Sequence, residues 1–204
     1  MPLEVLREVL SSEYRGPRAV FSEVHVLKSL MVLGTMGSAG RGRLGSLLDL
    51  GQGEVRTLIR RLQDKGLIMV KADGCRLTAK GEREYRELAK VIPWSSAVPG
   101  SALLIGEECW AVLAKRAKAR VRFGIEQRDA AVRVGANGAF TAVFSSGVFR
   151  TPGEGKDSEK DGPKALWSAV RKAVPGEGDV VVISGARDKA TAEAGALAAA
   201  LTLI

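Results

Sequence analysis

The stretch from Gly51 to Gly66, GQGEVRTLIRRLQDKG, constrains this chain most. At about 100° per residue, Val55, Leu58, Ile59 and Leu62 fall within one arc, so a helix over 54–65 must turn that arc to a core. Gly66 stands where a C′ glycine ends a helix. Arg56, Thr57, Arg60 and Asp64 then lie on the opposite side, with Glu54 and Arg61 on a flank. Just upstream, Leu44, Leu47 and Leu48 mark a short helix that ends in the turn Leu50-Gly51-Gln52-Gly53. A short helix, a glycine turn and a helix presenting arginines outward describe a helix-turn-helix.

The flanking segments extend that pattern. Leu3, Leu6, Val9 and Leu10 predict an amphipathic first helix, ended by Gly16-Pro17. Ser22 is placed to cap a second helix carrying Val24, Leu27, Leu30, Met31 and Leu33, which Gly34 and Gly37 break. After residue 66, Ile68 and Val70 alternate, Asp73-Gly74 is a hairpin turn, and Cys75 and Leu77 alternate on the return. Lys71 and Arg76 flank the tip, and Thr78 caps a closing helix through Tyr85 and Leu88. Helices, hairpin and closing helix in this order describe a winged helix.

Two strings, GRLGSLLDLGQGEVRTLIRRLQDKGLI at 42–68 and RLTAKGEREY at 76–85, resemble winged-helix transcription regulators of bacteria and archaea. The resemblance covers residues 20–92 and implies a DNA-binding fold, although winged helices also serve as protein-interaction and RNA-binding modules. Gly40-Arg-Gly-Arg-Leu-Gly45 is similar to an element of biotin protein ligases, but there it belongs to the catalytic domain, and here Leu44 is needed in the helix-turn-helix core. The segments GIEQRDAAVRVGANGAF and ARDKATAEAGALAAAL resemble a small archaeal family that joins a winged helix to an uncharacterised C-terminal domain.

Composition bounds the partners. With 31 Lys and Arg against 23 Asp and Glu, the net charge is +8, which favours a polyanion, nucleic acid before membrane. The surplus is spread out: 16 basic and 11 acidic residues precede Ser96, 15 and 12 follow it. One His and two Cys rule out a zinc finger, a multi-histidine metal centre and a disulfide scaffold. The charged N-terminus does not read as a signal peptide, and the apolar stretch 195–204 is too short to span a bilayer, so a cytoplasmic protein is expected. Only four Asn and Gln residues occur, a pattern that points towards a heat-adapted source.

The two prolines and the glycine of 93–100 predict a linker between a winged-helix domain over 1–92 and a second domain over 101–204. The second half alternates strands (102–105, 109–114, 139–144, 147–150, 179–184) with helices (125–134, 163–174, 187–201) and predicts a small α/β sandwich, giving an α+β protein overall. Residues 151–163, charged and rich in Gly and Pro, read as a surface loop without apolar anchors.

Two places in that domain invite a ligand. Gln127, Arg128 and Asp129 share helical directions with Ile125, Val132 and Val134, so some of them should be partly buried. They form either a concave polar site or an internal Arg128–Asp129 network joining helix to sheet. Ser184, Gly185, Arg187 and Asp188 form a small-residue turn between a buried strand and a helix. That turn either offers N–H groups to an anion or is simply a tight turn with Asp188 as its helix cap. In the second reading the Ala-rich helix that follows packs very close to the sheet.

The leading expectation is a homodimeric DNA-binding transcriptional regulator. Arg41, Arg43, Gln52, Arg56, Thr57, Arg60 and Arg61 would contact double-stranded DNA, with Lys71 and Arg76 on the wing. The second domain would sense a small-molecule effector, dimerise, or both; helix Leu3–Leu10 is a further candidate dimer element. No metal or cofactor is called for. The alternatives are an enzyme carried by the second domain with an accessory winged helix, or an adaptor binding nucleic acid by charge alone. An enzyme finds little support: His25 lies in the first domain, and Cys109 has no His in its own domain to activate it.

Overall fold

The computed structural model describes residues 2–11, 20–99 and 105–204. The expected helix end at Gly16-Pro17 and residues 102–104 of the expected first strand of the second domain lie outside them. The chain divides into two compact units, Met1–Ala89 and Lys90–Ile204, and is mixed α and β, with helices packed on antiparallel sheets. Among the described residues no helix is long and apolar enough to cross a membrane.

The first unit runs α1 (Pro2–Leu10), α2 (Glu23–Met36), α3 (Arg41–Leu48), α4 (Gln52–Asp64), β1 (Ile68–Lys71), β2 (Gly74–Leu77) and α5 (Ala79–Val91). Each boundary has a local cause. The Ser22 N–H donates to His25 Nδ1 at 3.0 Å, so a histidine closes the cap of α2. The Gly51 N–H donates to Glu54 Oε2 at 2.7 Å, which makes Glu54 the capping acid of α4. The Gly81 N–H donates to Thr78 Oγ1 at 3.1 Å and starts α5.

Gly34 does not break α2. The helix continues to Met36, and the glycine answers a packing demand: the Tyr85 ring lies against residue 34, where a Cβ would come within 2.5 Å of it; Gly37, at φ 73°, ends the helix instead. Gly74 answers both a backbone and a space demand: its φ is +123°, and a Cβ there would sit 2.7 Å from the Ala39 carbonyl oxygen. That close approach lets Ala39 bridge to Cys75 and adds one residue of a third strand to the hairpin.

The second unit is a five-stranded antiparallel sheet of β3 (Trp94–Val98), β4 (Glu108–Ala114), β5 (Gly138–Ser145), β6 (Val148–Arg150) and β7 (Val180–Ala186). The strand order is β3-β4-β7-β5-β6. Residues 94–98, expected as linker, are therefore an edge strand: their prolines lie at 93 and 99, just outside it, and Trp94 packs into the core. Helix α8 (Lys164–Arg171) covers one face, where Leu166, Trp167 and Val170 meet Leu113, Phe149 and Ile183. Helices α6 (Ile125–Arg133) and α9 (Lys189–Leu201) cover the other, where Ala131, Ala199 and Leu203 meet Val143, Val180 and Val182.

Segment 151–163 is more anchored than its composition suggests. It contains α7 (Ser158–Asp161), and Glu159 Oε1 accepts from the Phe149 N–H at 2.8 Å and from Arg171 at 2.6 Å. A charged side chain, rather than an apolar one, ties this loop to the sheet edge.

Candidate nucleic-acid interface

Helix α4 buries Val55, Leu58, Ile59 and Leu62, as its periodicity requires. Gln52, Arg56 and Arg60, spaced four residues apart, are exposed and run as one line along it, with Gln63 beside them. Sequence reasoning had not singled out Gln63, although the same spacing argument reaches it. Arg41 and Arg43 are exposed at the start of α3, and Lys71 and Arg76 are exposed on the hairpin. Arg41 lies near enough to Cys75 for its charge to act on that thiol, although burial dominates and pushes the thiol up. Arg41 and Gln52 line one groove of about 620 Å³ between α3 and α4.

Three of the expected contacts stand differently. Arg61 is buried, at 6% exposure. Its Nη1 donates to the Val9 carbonyl at 3.3 Å, and its guanidinium lies 5.2 Å from the centre of the Phe21 ring. The flank of α4 that looked open is covered by α1. Thr57 is half-buried, and its hydroxyl turns back to donate to the Gly53 carbonyl at 3.0 Å. Arg76 is exposed but pairs with Asp73 across the hairpin tip.

α1 itself has its inner stripe covered, with Leu6 and Val9 fully buried within the first unit. Those two residues are thus not open to a dimer partner.

The two candidate clusters of the second unit do not form one site. Gln127 is buried at 1% exposure and its Nε2 donates to Thr202 Oγ1 at 2.7 Å, just past the end of α9. Asp188 caps the opposite end of α9, about 20 Å away along a helix of this length. Its carboxylate accepts from the Thr191 N–H at 2.9 Å and from the Thr191 hydroxyl at 2.8 Å, bonds that hold it below the ordinary carboxylate range. A carboxylate therefore stands where an anion would bind.

Ser184 is fully buried and donates to the Gly138 carbonyl at 3.2 Å, and Gly185 is a strand residue packed on the Ile105 backbone; Arg187 is exposed. Arg128 and Asp129 are exposed rather than buried, 3.7 Å apart, and Ile125 and Val132 on the same helix are exposed with them. Of the three polar residues expected to be partly buried, Gln127 alone is, because α6 turns Ala131 and Gln127 inward and leaves Ile125 and Val132 outside.

Residues 105–203 match a domain of unknown function, DUF4443. Among solved structures, the chain is similar to a hypothetical protein, PH0730, from Pyrococcus horikoshii OT3. The two share 25% identity over 90% of this chain and 92% of that one, with a TM-score of 0.74. No curated protein matches the chain. The likeness extends over both units, while the matched domain lies within the second.

Proposed function

We propose that the first unit is a winged helix that binds double-stranded DNA, and that the protein acts as a transcriptional regulator. The observation that carries this reading is the exposed line Gln52–Arg56–Arg60 on α4, a helix whose opposite face is fully committed to the core. A helix of that width fits a major groove, and an arginine can fork onto guanine O6 and N7. The hairpin bearing Lys71 and Arg76 serves as the wing, and Arg41 and Arg43 at the start of α3 add phosphate contacts. Glu54, an acid that would oppose DNA, is already engaged as the α4 cap.

Selection of random duplexes on the full chain tests this. Enrichment of a defined half-site motif is expected. Equal recovery of all sequences at moderate salt would overturn the regulator reading in favour of binding by charge alone.

We further propose that two copies associate through α6, since one winged helix covers only a half-site. Ile125 and Val132 are exposed two turns apart, with Arg128 and Asp129 on the helix between them. An antiparallel pairing of two α6 helices covers both apolar side chains and sets Arg128 of one copy against Asp129 of the other. Sedimentation of the wild type as a dimer and of Ile125→Asp as a folded monomer is expected; an unchanged dimer in the variant would exclude this surface.

A further inference from the structure

We infer that the first unit also holds a small organic anion with an apolar body, in the cavity between the β1–β2 hairpin, the end of α2 and α5. The cavity measures about 580 Å³, within the size of sites that enclose small molecules, about 300–1,000 Å³. Its floor is apolar: Leu33 from α2, Leu77 from β2 and the ring of Tyr85 from α5. Its rim is cationic. Met69 and Lys71 share a face of β1, Arg76 stands opposite Met69 in the register, and Arg86 faces them from α5. Glu82, the acid among the lining residues, already accepts from Arg86 at 3.0 Å, and Asp73 just outside the lining pairs with Arg76, so the positive surplus of the rim rests on Lys71. An apolar floor beneath a cationic rim is complementary to an amphipathic anion, the body against Tyr85 and the acid group between Lys71, Arg76 and Arg86.

The shape of the cavity depends on a glycine. Tyr85 lies flat on α2 because residue 34 has no Cβ to hold it off, and Gly37 adds no side chain at the mouth. A phosphodiester backbone would meet the rim but leave the apolar floor unused, which separates this site from the proposed DNA contacts. The site goes beyond the regulator reading and does not require it. Should both hold, the ligand and DNA would compete for Lys71 and Arg76.

The test is fluorescence titration of the full chain, without DNA, with 8-anilinonaphthalene-1-sulfonate, and with N-phenyl-1-naphthylamine as its uncharged counterpart. Saturable binding of the sulfonate at one site per chain is expected, about tenfold tighter than the uncharged dye. Arg86→Ala, at an exposed position, should weaken it about tenfold. Met69→Trp, which fills the cavity from a partly exposed position, should abolish it while melting temperature and circular dichroism stay unchanged. Absence of saturable binding, equal affinity for the uncharged dye, or retention of wild-type affinity by Arg86→Ala would overturn the site.

Discussion

Arg60 and Arg61 are neighbours in sequence with opposite fates. Arg60 is exposed on α4, while Arg61 is buried against Val9 and Phe21. A helical wheel ranks both as polar and off the core, because it sees one helix and not the segment 52 residues earlier that closes one flank. Arg61→Ala should therefore lower stability by about 1–3 kcal/mol, through a lost buried hydrogen bond and lost packing. Arg60→Ala should leave the melting temperature unchanged. Thermal melts of the two variants check this, and equal melts would contradict the burial of Arg61.

His25 is a second residue whose role is local. Burial chiefly, and then the Lys28 charge, hold its pKa below 6.5 against the opposing pull of Asp49 and Glu54, and the neutral ring accepts the Ser22 N–H. With the folded pKa depressed, the unfolded chain takes up the proton first. The contribution of this cap is thus complete above about pH 6.5 and lost as the pH falls below that value. Melts between pH 8 and 5 should show that decline in the wild type and a flatter profile in His25→Gln, whose amide oxygen can accept the same N–H without titrating.

At the scale of elements, strands and helices with strong periodicity were legible. α4, the hairpin, β7 with its run of buried Val and Ile, and α9 all stand within a few residues of their expected places. β3 was not, because Trp-Ser-Ser-Ala-Val between two prolines has no alternation of its own and becomes a strand only by pairing with β4. α6 was legible as a helix but not in its orientation, since small residues set its packing. The Ala-rich character of α9 did carry its meaning: a Cβ on Gly195 would lie 2.3 Å from Ser184 Oγ, so helix and sheet touch almost backbone to backbone. Gly195→Ala should cost about 1–3 kcal/mol through overpacking. Gly42→Ala in α3, where nothing lies within 4 Å of the added Cβ, should be neutral or stabilise by up to about 1 kcal/mol. Equal melting temperatures for the two variants would contradict the close approach of α9.

For the whole molecule, the surplus of eight positive charges decides little by its total, since both units share it. Its placement matters: arginines in a line on α4, others at the start of α3, and cations on the hairpin. That distribution was readable because it follows from helical period and hairpin register. The cavity beside the hairpin was not, because Tyr85, Gly34 and Lys71 meet only when α5 folds back on α2. The two candidate ligand clusters of the second unit stand at opposite ends of α9, a separation that no spacing within either segment could show.

Anisotropy titration of a selected duplex against a scrambled one, at two salt concentrations, is the decisive measurement for the proposed reading of DNA by α4. The wild type should lose affinity with salt at a logarithmic slope of about −4, as expected for some four to five phosphate contacts. Arg60→Ala should lose about 1–3 kcal/mol on the selected duplex and little on the scrambled one. Equal loss on both duplexes, or none on either, would show that Arg60 makes no base contact and that α4 does not read the sequence.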